Sequence, residues 1–114
     1  MFELPDQLTL RFGERAIDVT FTGLARGRDG RARILLQAER GHRLALWLGE
    51  GYDFLQLYTG DKAPEVERRR SGLAVEPMTC APDAFNSGDG LIVLEPGASH
   101  TALWGIEPNP PEST

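Results

Sequence analysis

The sequence predicts an all-β fold, an antiparallel β-sandwich of about eight short strands. Thirteen glycines and eight prolines interrupt the 114 residues too often for a helical bundle, and they suit short strands joined by turns. Several short stretches alternate apolar and polar side chains, which is the period of a strand with one buried face. No window of about eleven residues holds the 3.6-residue period of an amphipathic helix.

The first half of the chain supplies four of the predicted strands. Leu8–Phe12 and Ile17–Phe21 place their apolar residues at alternate positions, so one face of each strand is expected to be buried. Ala32–Ala38 and Arg43–Leu48 are β-type runs separated by a short segment that contains Gly41. A glycine between two such runs is typical of a β-hairpin.

The second half supplies the remaining strands. Phe54–Thr59 and Gly72–Glu76 alternate clearly, and Thr101–Ile106 is the last predicted strand. Leu91–Leu94 is apolar at every position, which predicts a strand buried on both faces.

The net charge argues against a polyanionic partner. The chain has 12 lysines and arginines against 17 aspartates and glutamates, and its formal net charge is −5 at pH 7. Binding to nucleic acid or to an anionic membrane surface requires a cationic face. We therefore predict no nucleic-acid partner and no membrane partner.

The chain length, the single cysteine and the search for targeting segments predict the domain organisation and the cellular compartment. A chain of 114 residues holds at most one domain, which we predict over residues 1–106, followed by a disordered, proline-rich tail over residues 107–114. Cys80 is the single cysteine, so no intrachain disulfide can form. No signal peptide or transmembrane stretch is recognisable. These features together predict a cytoplasmic protein.

Three polar side chains on predicted strands are candidates for a site. Glu76 ends its strand, where a carboxylate can act as a general base or can simply be an exposed charge. Asp18 lies on a polar strand face and can either bind sugar hydroxyls or face solvent. Gln56 lies between Phe54 and Tyr58 on one face, which is typical either of a sugar site or of a half-exposed strand.

The other polar groups predict structural roles. Asp83 and Asn86 lie in a turn-forming segment, and Cys80 has no histidine near it in sequence, which favours a structural role. His42 and His100 are isolated and give no metal-ligand spacing. No P-loop or dinucleotide motif is present, so we predict no metal and no cofactor.

Four segments of the chain form a recognisable series. They are the acidic strand Ile17–Phe21, the Gln-x-Tyr-Thr-Gly pattern within Phe54–Gly60, the stretch Gly72–Asn86, and Leu91–Gly97 with Trp104 after it. In content and order this series resembles the aldose 1-epimerases, also called galactose mutarotases. The resemblance covers nearly the whole chain and corresponds to the C-terminal part of that family.

The resemblance implies a fold and a chemistry. The fold is the large antiparallel sandwich of the galactose-mutarotase type, here in partial form. In the family a glutamate removes the proton of the anomeric hydroxyl, a histidine protonates the ring oxygen, and the opened ring closes as the other anomer. By resemblance, Glu76 is expected to be the base, and Asp18 and Gln56 are expected to bind hydroxyls of a small-molecule aldose.

The resemblance also leaves the activity open. The general-acid histidine belongs to the family's N-terminal part, and neither His42 nor His100 lies in a matching segment. We therefore expect an epimerase fragment for a free hexose of the galactose or glucose class, inactive or weakly active alone. The alternatives are a non-catalytic carbohydrate-binding domain and a subunit that completes a split epimerase.

Two further expectations concern partners and substrate. Strands without their partners expose edges and apolar surface, which predicts self-association or binding of a completing N-terminal half. The run Arg68–Arg70 leaves a hexose 6-phosphate as an alternative substrate. The stretch Glu76–Thr79 is more similar to the branch of the family that acts on free sugars.

Overall fold

The structure of the protein is a computed structural model that describes residues 1–3 and 10–111. The chain divides into two compact units. The first unit contains Met1–Ala25 and Tyr52–Val93, and the second contains Arg26–Gly51 and Leu94–Thr114. Each unit is built on one β-sheet.

The described residues form strands in both units and two short helical segments. The strands are β1 (Phe2–Glu3), β2 (Asp18–Thr22), β3 (Ala32–Gln37), β4 (Arg43–Leu48), β5 (Phe54–Tyr58), β6 (Ala74–Met78) and β7 (Trp104–Pro108). The helical segments are a 3-10 turn, Val66–Arg68, and the one-turn helix α1, Ala84–Ser87. None of the helices in this described part is long and apolar enough to cross a membrane.

The first unit contains the sheet with the strand order β1-β2-β5-β6. β1 runs parallel to β2, and the other neighbours are antiparallel. One face of this sheet is apolar and carries Phe21, Leu55 and Leu57, all of which are buried. β6 is the outermost strand, and Pro77 is tolerated there because an edge strand leaves some backbone positions without a ladder partner.

The second unit contains the antiparallel sheet with the order β3-β4-β7. β3 and β4 form the hairpin expected around Gly41, whose φ is +86°. Leu48 on β4 is fully buried. The Trp47 ring lies over Gly105, where any Cβ would overlap the indole, and the Arg31 guanidinium lies 3.8 Å from the ring centroid.

The all-β prediction is confirmed, with two mainly antiparallel sheets and little helix. β2, β3, β4 and β5 each begin and end within one residue of the predicted strands. Two strands are shifted toward the C-terminus, so that β6 ends at Met78 rather than Glu76 and β7 ends at Pro108 rather than Ile106. β7 therefore continues into residues that the sequence assigns to the tail.

The prediction of a buried strand at Leu91–Leu94 is wrong. These residues form no strand, and all four are exposed, Val93 by 75%. Gly90 precedes the run with a φ of +72°, and Gly97 follows it with a φ of +84°, so turns bound the segment on both sides. An apolar run becomes a buried strand only where a neighbouring strand pairs with it, and none of the described strands does so.

The prediction of a strand at Leu8–Phe12 is also wrong over the residues that the structure describes. Leu8 and Thr9 lie outside the described residues, and residues 10–12 are not in a strand. The Arg15 backbone N–H donates to the Phe12 carbonyl at 2.6 Å, and Gly13 has a φ of +48°. A turn therefore takes the place of the end of that strand.

Candidate functional site

One face of the sheet in the first unit carries a group of polar side chains. We call this group the polar face, and it consists of Asp18, Thr20, Gln56, Tyr58 and Glu76. The strand register sets Thr20 opposite Gln56 and Gln56 opposite Glu76, so these three residues form one row across β2, β5 and β6. Asp18 is opposite Tyr58 in the adjacent row. All three site residues predicted from the sequence therefore lie on the same face of one sheet.

Hydrogen bonds join three members of the polar face. The Thr20 hydroxyl donates to Gln56 Oε1, and Gln56 Nε2 donates to Asp18 Oδ1 at 2.5 Å. An ionised carboxylate can only accept, so Asp18 must receive the amide N–H, and the amide oxygen then faces Thr20. These two hydrogen bonds therefore determine which way the Gln56 amide faces, with its nitrogen toward Asp18 and its oxygen toward Thr20.

The two carboxylates of the polar face lie on opposite sides of Gln56. Glu76 is exposed on the edge strand β6, and Asp18 is exposed on β2. Adjacent strands are about 4.8 Å apart, and Asp18 lies one row, or two residues, away from Glu76 along the strands, so these two positions are separated by about 12 Å. Ala74, which lies opposite Tyr58, adds little bulk beside Glu76. The arrangement offers a small polar ligand an amide below it and a carboxylate on either side.

The two aromatic residues beside Gln56 have different environments. Tyr58 is half-buried, and its phenolic oxygen accepts a hydrogen bond from the Lys62 backbone N–H at 2.9 Å. Phe54 is only 6% exposed, and the backbone at Gly90 approaches its ring closely. Tyr58 is therefore the ring available to a ligand, whereas Phe54 belongs to the packed interior.

Thr20 is a member of the polar face that the sequence did not single out as a site residue. It is 9% exposed, and its partner Gln56 is 36 residues away along the chain. The alternation of β2 places Thr20 on the same face as Asp18. Only the register of β2 against β5 brings its hydroxyl to the Gln56 amide.

The arginine run is engaged within the first unit. The Arg70 guanidinium donates to the carboxylate of Asp61 at 2.7 Å and to the carbonyls of Gly13 and Arg15 at 2.8 Å each. Hydrogen bonds from the Thr59 hydroxyl and from Arg70 lower the pKa of Asp61 below its ordinary value. These contacts hold the loop before β6 against the segment before β2.

The neighbouring arginine and the turn residues have local roles. Arg69 Nε donates to the Ala63 carbonyl at 2.9 Å, so a second guanidinium of the run is used inside its own loop. Asp83 has a φ of +61°, and its carboxylate accepts a hydrogen bond from Asn86 Nδ2 at 2.7 Å. Asp83 and Asn86 therefore form the turn that the sequence predicts.

The remaining candidates are Cys80 and the two histidines. Cys80 is a free, half-buried thiol. His42 and His100 are both exposed and belong to the second unit, whereas Glu76 belongs to the first. Within residues 1–3 and 10–111, no three His, Cys, Asp or Glu side chains are grouped as a metal site requires.

Comparison with known proteins decides the family. The family model described as aldose 1-epimerase matches residues 2–106, which is most of the chain and includes the whole polar face. The chain belongs to the aldose 1-epimerase family. The family resemblance inferred from the four sequence segments is therefore confirmed.

A curated relative adds a second, shorter match. The uncharacterised protein YihR of Escherichia coli (strain K12) is 47% identical to the present chain over 53 residues. That stretch is 46% of the present chain and 16% of YihR. No solved structure matches the chain.

Proposed function

We propose that the polar face is the base-side part of an aldose 1-epimerase site, which acts on the anomers of a free hexose. The observation that carries this proposal is the joining of Asp18, Gln56 and Glu76 on one sheet face in a chain of this family. Gln56 offers donor and acceptor groups in a fixed orientation, and the carboxylates on either side accept hydroxyl protons. Binding a sugar requires such hydrogen-bond donors and acceptors, and deprotonating it requires a carboxylate base.

In the proposed reaction Glu76 takes the proton from the hydroxyl on the anomeric carbon. The electron pair of that O–H bond forms the carbonyl as the bond between the anomeric carbon and the ring oxygen breaks, and an acid protonates the ring oxygen. The carbonyl group turns by half a revolution about its bond to the next carbon. Reversal of the proton transfers closes the ring as the other anomer and returns the proton from Glu76.

Asp18 and Gln56 would hold the sugar while its ring is open. The Asp18 carboxylate accepts the Gln56 amide at one oxygen, and its other lone pairs can accept sugar hydroxyls. Gln56 Nε2 has a second proton to donate. Two of the three guanidinium groups of Arg68–Arg70 already have partners inside the first unit, which favours a free hexose over a hexose 6-phosphate.

The first test is the exchange between the α and β anomers of galactose and glucose, measured by NMR magnetisation transfer with the purified chain. We expect Glu76→Gln to abolish any exchange above the uncatalysed background, because a missing general base costs about 100-fold or more. Glu67→Gln, which neutralises an exposed carboxylate of the loop before β6, is the control and should leave the rate unchanged. Equal acceleration by the chain and by Glu76→Gln would refute the assignment of the base.

A non-catalytic sugar-binding role is the second candidate. The observation that favours it is that neither His42 nor His100 lies in a segment that resembles the family's general-acid histidine motif. Background exchange together with galactose-dependent shifts of the Gln56 resonances would support this role. Acceleration that appears only when an N-terminal portion of an aldose 1-epimerase is added would instead support a completing subunit.

A further inference from the structure

We propose that Thr20 is a positioning residue, which fixes the plane of the Gln56 amide and thereby aims its free N–H proton at a ligand on the polar face. The inference rests on the proposed function in one respect, namely that the ligand is a sugar. Its structural part depends only on the hydrogen bonds of the sheet in the first unit.

The hydrogen bonds at the two ends of the amide act differently. Asp18 accepts from Gln56 Nε2, but this bond alone leaves the amide free to rotate about the line between the two atoms. The Thr20 hydroxyl donates to Oε1 and supplies the second fixed point. With both ends held, the plane of the Gln56 amide is defined. The second Nε2 proton lies in that plane, so its direction is defined as well.

The location of Thr20 makes its hydrogen bond resistant to competition from water. Thr20 is 9% exposed, whereas Gln56 is half-buried and Asp18 is exposed. A hydrogen bond is stronger where the surroundings exclude water, and an amide oxygen that loses its donor there is left unsatisfied. Thr20 is thus the anchor on the buried side of the amide, and Asp18 is the anchor on the side of the solvent.

Thr22 provides a matched control on the same strand and the same face. Its hydroxyl donates to the Asp53 carbonyl at 3.1 Å, which is a backbone group outside the polar face. Thr22→Val therefore removes a hydroxyl from β2 without touching Gln56. Thr20→Val removes the hydroxyl that Gln56 accepts, and Thr20→Ser restores it. Valine and threonine have the same shape, and both suit a strand.

The test is made first on the full chain without sugar. The sequence contains three glutamines and two asparagines, so five side-chain NH2 pairs are expected, and the pair that Gln56→Glu removes identifies Gln56. We expect the heteronuclear NOE of the Gln56 side-chain amide to fall in Thr20→Val and to stay at the wild-type value in Thr22→Val and Thr20→Ser. If Thr20→Val does not fold, Thr20→Ala carries the same expectation.

The second arm is a titration of the same variants with galactose. We expect the dissociation constant to rise about fivefold in Thr20→Val, the loss expected for one hydrogen bond, and to change less than twofold in the two controls. An unchanged NOE in Thr20→Val would overturn the proposal, and so would a mobile amide with unchanged affinity. If the Gln56 amide becomes mobile in Thr20→Val but the wild-type chain binds no galactose, the positioning role of Thr20 is supported and the proposed function is refuted.

Discussion

At the scale of single residues, Arg70 shows how much one side chain organises. Its backbone φ of +61° is rare for a residue with a side chain and carries a cost of about 1–3 kcal/mol. Its guanidinium meets the Asp61 carboxylate and two backbone carbonyls at 2.7–2.8 Å. Charge-assisted hydrogen bonds of this kind offset the cost of the strained backbone. The cluster therefore fixes the loop that precedes β6, the strand that carries Glu76.

The Asp61 carboxylate gives this cluster a pH dependence. Its pKa is lowered in the folded protein, first by the Thr59 hydroxyl and then by Arg70. A lowered pKa contributes stability that is present above the unfolded value of about 3.9 and is lost as the pH falls through the folded value. We expect Asp61→Asn to melt at a lower temperature than wild type at pH 7, and the difference to shrink below about pH 4.

Thermal melts of both proteins between pH 7 and pH 2.5, followed by circular dichroism, test this expectation. Glu67→Gln, which removes an exposed carboxylate from the same loop, should track the wild type throughout. A melting difference between Asp61→Asn and wild type that stays constant down to the lowest pH would contradict the assigned role of Asp61.

At the scale of elements, the loop after β6 packs against Phe54, which lies on the same face of β5 as Gln56. Its α1 turn ends at Gly88, and two residues later Gly90 brings the backbone against Phe54. A Cβ at Gly90 would lie 2.9 Å from Phe54 Cε2 and 3.1 Å from the Cα of Cys80. The loop can cover Phe54 because this position has no side chain. Phe54 is consequently interior, although its alternation with Gln56 puts both on one face of β5.

Gly90→Ala should therefore be strongly destabilising. We expect a loss of about 2–4 kcal/mol in the free energy of unfolding, from the left-handed backbone at φ +72° and from the overlap with Phe54. Gly88→Ala is the matched control, because its φ is +75° and nothing lies within 4 Å of its added Cβ. It should lose only about 1–2 kcal/mol, the cost of the left-handed backbone alone. Urea unfolding of the two variants measures the difference, and equal losses would rule out the close contact.

At the scale of the whole molecule, the described residues form two sheets, and Leu48 is the largest side chain among them that is fully buried. Several large apolar side chains remain exposed, among them Val93 by 75%, Trp104 by 50% and Ile106 by 54%. Apolar surface of this kind is costly to leave in water. It agrees with the expectation of self-association or of a completing partner, which stays a prediction. Stability must then depend heavily on the few residues that are fully enclosed.

Leu48 is the clearest case of such dependence. It is fully buried on β4, and we expect Leu48→Ala to lower the free energy of unfolding by about 2–5 kcal/mol. Domains are usually stable by only about 5–15 kcal/mol, so this loss is severe. Leu35→Ala, at a position that is 46% exposed on the neighbouring strand, should cost about 1 kcal/mol or less.

Tryptophan fluorescence during urea unfolding is suited to this comparison, because Trp47 and Trp104 both belong to the second unit with Leu48. A midpoint for Leu48→Ala that matches that of Leu35→Ala would show that Leu48 does not carry the interior of its sheet.

Sequence alone is enough to predict the polar and apolar faces of β2, β5 and β6 in the first unit. Alternation is a local property of the backbone, so the sequence alone puts Gln56 and Tyr58 on one strand face. The same reasoning identified Asp18 and Glu76 as polar positions on strands. The family followed from motifs in the same segments, because those motifs are short and contiguous in the chain.

Which strands pair, and in which register, depends on contacts between segments that are distant in the sequence. The register of β2, β5 and β6 aligns Thr20, Gln56 and Glu76 in one row, and a slip of one residue would reverse a strand's faces. The apolar run Leu91–Leu94 looked like a buried strand, yet it pairs with none of the described strands and stays exposed. The reason is the same in both cases. A strand's period is encoded locally, whereas its hydrogen-bonding partner is a distant segment that no local pattern names.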